Sequence, residues 1–492
     1  MARISQVLVV PATGAYYFED LSALQDAPIP VAERYAAPTT TAGFGAVREV
    51  AEALSVGLVV EDLWPGAGPR VVWGDCVSVA YSGKAGREAA FRATAGMETV
   101  QRIVAPALVG RDLTSFRELI APVEDLRELA TITQVVSKPV QPAAPLSRRA
   151  LLTAPLRAFQ DEQPPATEQV TVERPLHPAV RYGVSQALLA AVALARGVTL
   201  AEVIADEWGL PRPAAAVPIH AQSGSERYAG ADKMIVRRIA SLPHGLVDNI
   251  PEQVGDDGLK LTRYVRWLAD RIRALAGEDY RPTIHLDLHG ALGQLFGDNL
   301  GRILGALGSL ETAADPYPLR VESPVIMASR AEQIATLKRL REYVRFRQMR
   351  TALVADEWAN TLDDIRAFIA AGAADMIQIK MPDLGGVQDS IEAVLACKAA
   401  GPATAPFDGP LDELGRGLRT RLRTGVGAFL GGSCAETDLS ARVAVHVALA
   451  TRPDIIMARP GMGVDEAISI TQNEMARALA EMRLRAGSSR SA

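Results

Sequence analysis

Four short apolar runs, each closed by an ionisable residue, recur at nearly even intervals: Asp287 in HLDLHG, Glu322 in LRVES, Asp356 in LVADEW and Lys380 in MIQIKMPDLGG. Positions 287, 322, 356 and 380 leave gaps of 35, 34 and 24 residues. One strand plus one returning helix fills such a gap, and that pair is the repeating unit of a (β/α) barrel. A helix signature precedes the first run. Within 259–275, Leu261, Tyr264, Val265, Leu268, Ile272 and Leu275 fall on one helical face. Barrel strands converge at their C-terminal ends, so three carboxylates and an amine are expected to meet in one pocket. Oxygen ligands of that density suit a hard divalent cation, and the amine suits a general base.

Strand alternation assigns faces. In MIQIKM, Met376, Gln378 and Lys380 share one face, and Ile377 and Ile379 take the other. A lysine beside a glutamine on an inward face is costly without a task. His285, Asp287 and His289 share a face in their run, as do His220 and Gln222 in VPIHAQSG. A single aspartate after a strand is ordinarily a helix cap. Three acids in register with a following lysine read instead as a site. Glu357 and Asp383 stand next to the chosen residues, where alternation turns them towards capping or salt bridging. His285 and His289 bracket Asp287, which leaves a transition-metal cluster, and with it a metal-dependent barrel hydrolase, as an alternative. His244 in SLPHGLVDN follows a proline at a predicted strand end, at the pocket mouth. Cys434 in GGSCAETD lacks a His/Asn partner pattern, and its glycine-rich turn suits presenting N–H groups to an anion.

A chain of 492 residues predicts two domains, and a net charge of −5 gives no electrostatic footprint for nucleic acid. The opening MARISQVLVVPATG has too short an apolar run for a signal peptide, and ALLAAVALA (187–195) reads as a buried helix, not a bilayer span. Three cysteines without a CxxC pair point to a reducing cytoplasm, and no membrane association is expected. The first part reads as antiparallel strands at 4–10, 55–62 and 70–83, followed by helices from about Glu88 to Ile120. The proline-rich stretch 138–171 reads as a surface insertion or flap, and 401–424 as a second insertion.

Longer words of sequence accompany these residues: SVGLVVED, GDCVSVAYSG, RYGVSQA, VPIHAQSGSERY, LPHGLVDN, HLDLHGALG, LRVESP, LVADEWANT, QIKMPDLGGV, GGSCAETDLSA and ARPGMGVDE. In them the chain resembles the methylaspartate ammonia-lyases of the enolase superfamily, over nearly its whole length except 128–171 and 401–424. The resemblance implies an N-terminal α+β capping domain (1–215) on a modified TIM (β/α) barrel (216–492). It implies Asp287, Glu322 and Asp356 as Mg²⁺ ligands, with a monovalent cation such as K⁺ as activator. Lys380 would take the C3 proton of (2S,3S)-3-methylaspartate. His244, across the substrate, would serve the (2S,3R) epimer and hydrogen-bond a substrate carboxylate. Gln222, Gln378, Ser433 and Cys434 would hold the carboxylates. The products would be mesaconate and ammonia, in reversible amino-acid degradation by a cytoplasmic homodimer.

The chemistry fits these residue types. A proton beside a carboxylate is a weak acid, and a divalent cation on that carboxylate stabilises the charge its loss creates. Lys380 must be neutral to act, and a neighbouring cation is expected to lower its pKa. The second barrel strand ends in LPHG without a Lys-x-Lys pair, which argues against the racemase and cycloisomerase branches. The family carries Gln, Phe, Tyr and Thr where this chain has Ala80, His220, His289 and Ser433. A related amino acid is therefore the alternative substrate.

Overall fold

The computed structural model describes residues 1–17, 33, 36, 46–135, 167–223, 227–247, 249–297, 299–400, 426–431, 437–459 and 463–488. Three strands open the chain: β1 (Arg3–Tyr17), β2 (Arg48–Glu61) and β3 (Arg70–Cys76), paired antiparallel in that order. In β2, Leu54, Val56, Leu58 and Val60 are buried while Ser55 and Val59 are less so, the alternation of a sheet with one face on a core. That face lies on the helix Pro178–Arg196, which starts from Pro178 behind an N-cap at His177 and stops at Gly197 in the left-handed region.

Strand and helix touch backbone to backbone. A Cβ on Gly74 would meet the Gly183 carbonyl oxygen at 1.9 Å, and one on Gly183 would meet Cys76 Sγ at 2.4 Å. Only glycine at both positions permits this approach. By length and composition the helix could cross a membrane, but 72% of its apolar window is buried inside the fold.

Two expectations are corrected here. The third strand ends at Cys76 rather than 83, because the chain leaves the sheet to reach the barrel. Residues 128–135 and 167–171 are not an irregular insertion. They belong to β4 (Arg127–Val135) and β5 (Thr167–Pro175), an antiparallel pair registered from Arg127↔Pro175 to Val135↔Thr167. Residues 136–166 and 401–425, which hold the rest of both expected insertions, lie outside the described residues.

The second part is a closed barrel of eight strands. These are β6 (Ile219–His220), β7 (Ser241–His244), β8 (Thr283–Asp287), β9 (Leu319–Glu322), β10 (Ala352–Ala355), β11 (Met376–Lys380), β12 (Gly427–Gly431) and β13 (Ile455–Met457). Every neighbouring pair is parallel, and β13 closes on β6. Val354, Met376, Phe429, Ile455 and Met457 form a separate apolar plug inside the barrel, distinct from the core between strands and helices. The helix Leu259–Ala276 buries Leu261, Tyr264, Val265, Leu268 and Ile272 as expected. Leu275, in its last turn, is 39% exposed, because the helix end runs past its neighbours.

Candidate active site

Five consecutive strands deliver the five expected residues. β7 ends on His244, β8 on Asp287, β9 on Glu322 and β11 on Lys380, and Asp356 directly follows β10. The three acids are buried, Glu322 completely. The parallel register places Asp287 opposite Glu322 and Glu322 opposite Val354, so Asp356 comes two residues beyond the level the first two acids share. A basic side chain stands at each flank. Lys380 Nζ lies 2.5 Å from Asp356 Oδ2, and His244 Nε2 lies 3.2 Å from Asp287 Oδ2.

Below the acids, His285 Nε2 meets Glu322 Oε2 at 2.7 Å. Gln378, oriented to donate, brings its amide nitrogen to 2.7 Å from Glu322 Oε1 and 3.1 Å from both Asp356 oxygens. Donors converging on two adjacent carboxylates mark a place of concentrated negative charge. The electrostatics agree. Burial raises the Glu322 pKa well above the usual glutamate value, and the charges of Asp287 and Asp356 add to the rise. Asp356 is also raised, by burial first, with Lys380 and Arg87 opposing.

Lys380 departs from the neutral state that base chemistry needs. Burial pulls its pKa down, but the attraction of Asp356 and then Glu357 outweighs burial and the repulsion of Arg87, so the net shift is upward. Neutralising those carboxylates is the condition for Lys380 to release its proton.

Glu357 makes the expected kind of salt bridge, to His289 Nδ1 at 3.1 Å, but inside the site rather than turned away from it, where it is buried and also accepts from Ser323 Oγ. Strand β10 ends at Ala355, so neither Asp356 nor Glu357 obeys strand alternation, and Trp358 then turns through a positive φ of 68°. Burial opposes the ionisation of Glu357, but His289, Arg87 and Lys380 overcome it and hold its pKa low. His289 rises in return, as Glu357 offsets its burial. His244, His289 and Ser323 share the left-handed backbone of Trp358, at φ 64°, 40° and 44°. Four strained residues at the ends of four adjacent strands are the kind of cluster found at working sites. Asp383 behaves as expected, in a salt bridge to Arg87 at 2.9 Å.

The loop after β3 covers the barrel mouth. The Tyr81 ring lies 4.5 Å from that of His289, and the Ala85 carbonyl accepts from Asn360 Nδ2 at 2.7 Å. Arg87, with its side chain 2% exposed, donates from Nη2 to Asp356 at 3.1 Å. Sequence reading missed Arg87, Tyr81 and Glu357. The glycine-bracketed turn SGKAGR, six residues beyond the end of β3, was the available signal for Arg87. A cavity of about 410 Å³ between the two parts of the fold reaches Arg87 and Asp383 but not Asp287, Glu322 or Lys380. Ala80 is half-buried in the same loop, next to Tyr81.

His285 and His289 do not form a joint cluster: one turns inward to Glu322, the other outward to Glu357 and Tyr81. Among the described residues, a tighter set is His244, His285 and Glu322, with ligand atoms within 4.8 Å of one another. Gln222 is half-buried two residues beyond β6. Ser433 and Cys434 lie outside the described residues.

Comparison with known proteins decides the family. The models "Methylaspartate ammonia-lyase N-terminus" and "C-terminus" match residues 2–140 with 132–209, and 213–414 with 405–484. The chain belongs to the methylaspartate ammonia-lyase family. Methylaspartate ammonia-lyase 1 of Carboxydothermus hydrogenoformans is 40% identical over 97% of this chain and 96% of its own length. The Mg complex of β-methylaspartase from Clostridium tetanomorphum superposes with a TM-score of 0.73 at 35% identity, covering 98% of this chain and all of that one. The Citrobacter amalonaticus methylaspartate ammonia-lyase containing (2S,3S)-3-methylaspartic acid gives 0.75 at 35% identity, with the same coverage. Family membership removes the barrel hydrolase as an alternative.

Proposed function

We propose that this member of the methylaspartate ammonia-lyase family eliminates ammonia from 3-methylaspartate to give mesaconate, reversibly. The observation that carries the reading is the order His244, Asp287, Glu322, Asp356, Lys380 on five adjacent strand ends: three buried acids flanked by one base on each side. The donor set is all carboxylate oxygen, buried, with Glu322 driven up by burial and by its two acidic neighbours, and this fits a hard divalent cation such as Mg²⁺. Bound by Asp287, Glu322 and Asp356, the cation supplies Lewis-acid stabilisation of the charge developing on the substrate carboxylate.

The chain's own residues do the rest. Lys380 Nζ accepts the C3 proton, the C–H pair becomes the C2–C3 double bond, and the C2–N bond breaks with its electrons leaving on ammonia. His244, on the other flank, takes the proton of the opposite C3 configuration. Arg87, bridging Asp356 and Asp383, holds the covering loop down and keeps water from the pocket. Gln222, Gln378, Ser433 and Cys434 are proposed to hold the substrate carboxylates. Activation by K⁺, a homodimeric assembly and the boundary near residue 215 belong to the same proposal.

The test is the ultraviolet absorbance of mesaconate formed from each epimer of 3-methylaspartate, with Mg²⁺ and with chelator. Mg²⁺-dependent formation is expected. No mesaconate from either epimer, with elimination from another amino acid, would move the reading to the related substrate.

Ala80 sets an expectation for the amine. A glutamine here, as in the resembling family, offers an amide to the amino group, and alanine withdraws it. A lost neutral hydrogen bond is worth about 0.5–1.5 kcal/mol. Ala80→Gln should therefore tighten ammonia binding in mesaconate amination by roughly threefold to tenfold and disfavour methylamine. An unchanged ammonia-to-methylamine preference would remove residue 80 from the amine site.

A further inference from the structure

His220 ends β6, fully buried, directly beneath His244. Its two ring nitrogens are both occupied: Nδ1 lies 3.0 Å from Ser241 Oγ and Nε2 lies 3.3 Å from His244 Nδ1. The ring is held by packing as well, 4.7 Å from the His285 centroid and 5.1 Å, edge-on, from Phe429. A flipped imidazole would set carbons against Ser241 and His244 and strand two buried nitrogens, so this orientation is the satisfied one. Beyond His244, Nε2 reaches Asp287 Oδ2 at 3.2 Å. The result is an unbroken line: Ser241, His220, His244, Asp287.

We propose that His220 is a positioning residue that holds His244 in a single tautomer, by pairing with its Nδ1 whether Asp287 faces Nε2 or has turned away from it. The proposal rests on the reading of His244 as the second base. A carboxylate oxygen accepts, so while Asp287 faces Nε2 a neutral His244 carries its one proton there. His244 Nδ1 then accepts from His220 Nε2–H, and His220 Nδ1 accepts from the Ser241 hydroxyl. In that setting His244 has no free lone pair and is not a base.

When Asp287 turns away, the line reverses. His244 Nδ1–H donates to His220 Nε2, His220 Nδ1–H donates to Ser241 Oγ, and His244 Nε2 is bare towards the substrate. A neutral imidazole serves both settings because its Nε2 can donate or accept. Burial above all keeps His220 well below the usual imidazole pKa, in that neutral form. A carboxylate at this position would hold only the second setting, and an apolar ring would hold neither.

The test uses the Mg²⁺-loaded full chain with His220→Phe, which keeps the packing on Phe429, and His220→Gln, which keeps a donor and an acceptor. His220→Phe should lower kcat on the (2S,3R) epimer by about threefold to tenfold, the worth of one neutral hydrogen bond. The (2S,3S) epimer, served by Lys380, should change less than about twofold, and His220→Gln should restore most of the loss. Independently of activity, ¹⁵N-histidine NMR, with only six histidines to assign, should find one His244 tautomer in the wild type and a mixture in His220→Phe. Equal losses on both epimers without rescue by Gln, or identical His244 tautomer populations in both proteins, would overturn the proposal. If the wild type turns over neither epimer, the proposed function fails, and the NMR comparison alone decides the role of His220.

Discussion

Asp287→Asn, Glu322→Gln and Asp356→Asn are each expected to lower turnover by about 10³-fold or more while the chain still folds. Each exchange keeps the shape and removes one charge from a buried oxygen set. It therefore weakens cation binding and the stabilisation of the developing charge together. The three variants should differ in stability. Glu322 sits against Asp287 and Asp356 with its pKa raised well above the ordinary value, so metal-free wild type binds an extra proton when folded. Its contribution is present at low pH and is lost as pH rises through that raised pKa. Glu322→Gln lacks this loss and should melt no lower than wild type in chelator at neutral pH. Asp356→Asn should melt lower, because Lys380 and Arg87 both lose their shared buried partner. Thermal melts with and without Mg²⁺, beside turnover at limiting Mg²⁺, check both points. Near wild-type turnover in any one variant would remove that residue from the ligand set.

Lys380→Ala should cost about 10²–10⁴-fold on (2S,3S)-3-methylaspartate, the usual worth of a positioned general base, and much less on the (2S,3R) epimer. His244→Ala should reverse the order. The asymmetry follows from geometry: Lys380 ends β11 and His244 ends β7, with the three acid-bearing strands between them. A base on each flank would reach one face of a substrate held over those acids. Lys380→Ala also removes the cation beside Asp356, so Mg²⁺ affinity should be titrated alongside to separate binding from proton transfer. Equal losses on both epimers from both variants would sink the two-base assignment.

Much of this site was legible without coordinates, for a specific reason. A parallel barrel repeats one unit, and its strand ends converge. The spacing of Asp287, Glu322, Asp356 and Lys380 therefore carries three-dimensional information in a one-dimensional string. The inward face of β11 was readable in the same way, since Met376 joins the barrel plug and Gln378 reaches Glu322 and Asp356. Where the strand stops, the rule stops with it. Glu357 forms its salt bridge inside the site, where alternation did not put it, because β10 ends two residues earlier, and the 70–83 run is too long because its last residues leave the sheet.

By itself the sequence determined the barrel and the strand ends that carry its three acids and Lys380, because periodicity and β/α spacing are local properties that survive any packing. The tertiary structure alone decided what those groups meet. Arg87 is nearly 270 residues from Asp356, and its loop is held over the barrel mouth by contacts such as Ala85 with Asn360 and Arg87 with Asp383. His220 and His244 come from neighbouring strands, and whether their nitrogens face each other depends on rotamers set by His285, Phe429 and Ser241. The charge state of Lys380 is likewise a sum over burial, Asp356, Arg87 and Glu357. Such sums depend on distances of a few ångströms between groups far apart in the chain, and no linear pattern encodes them.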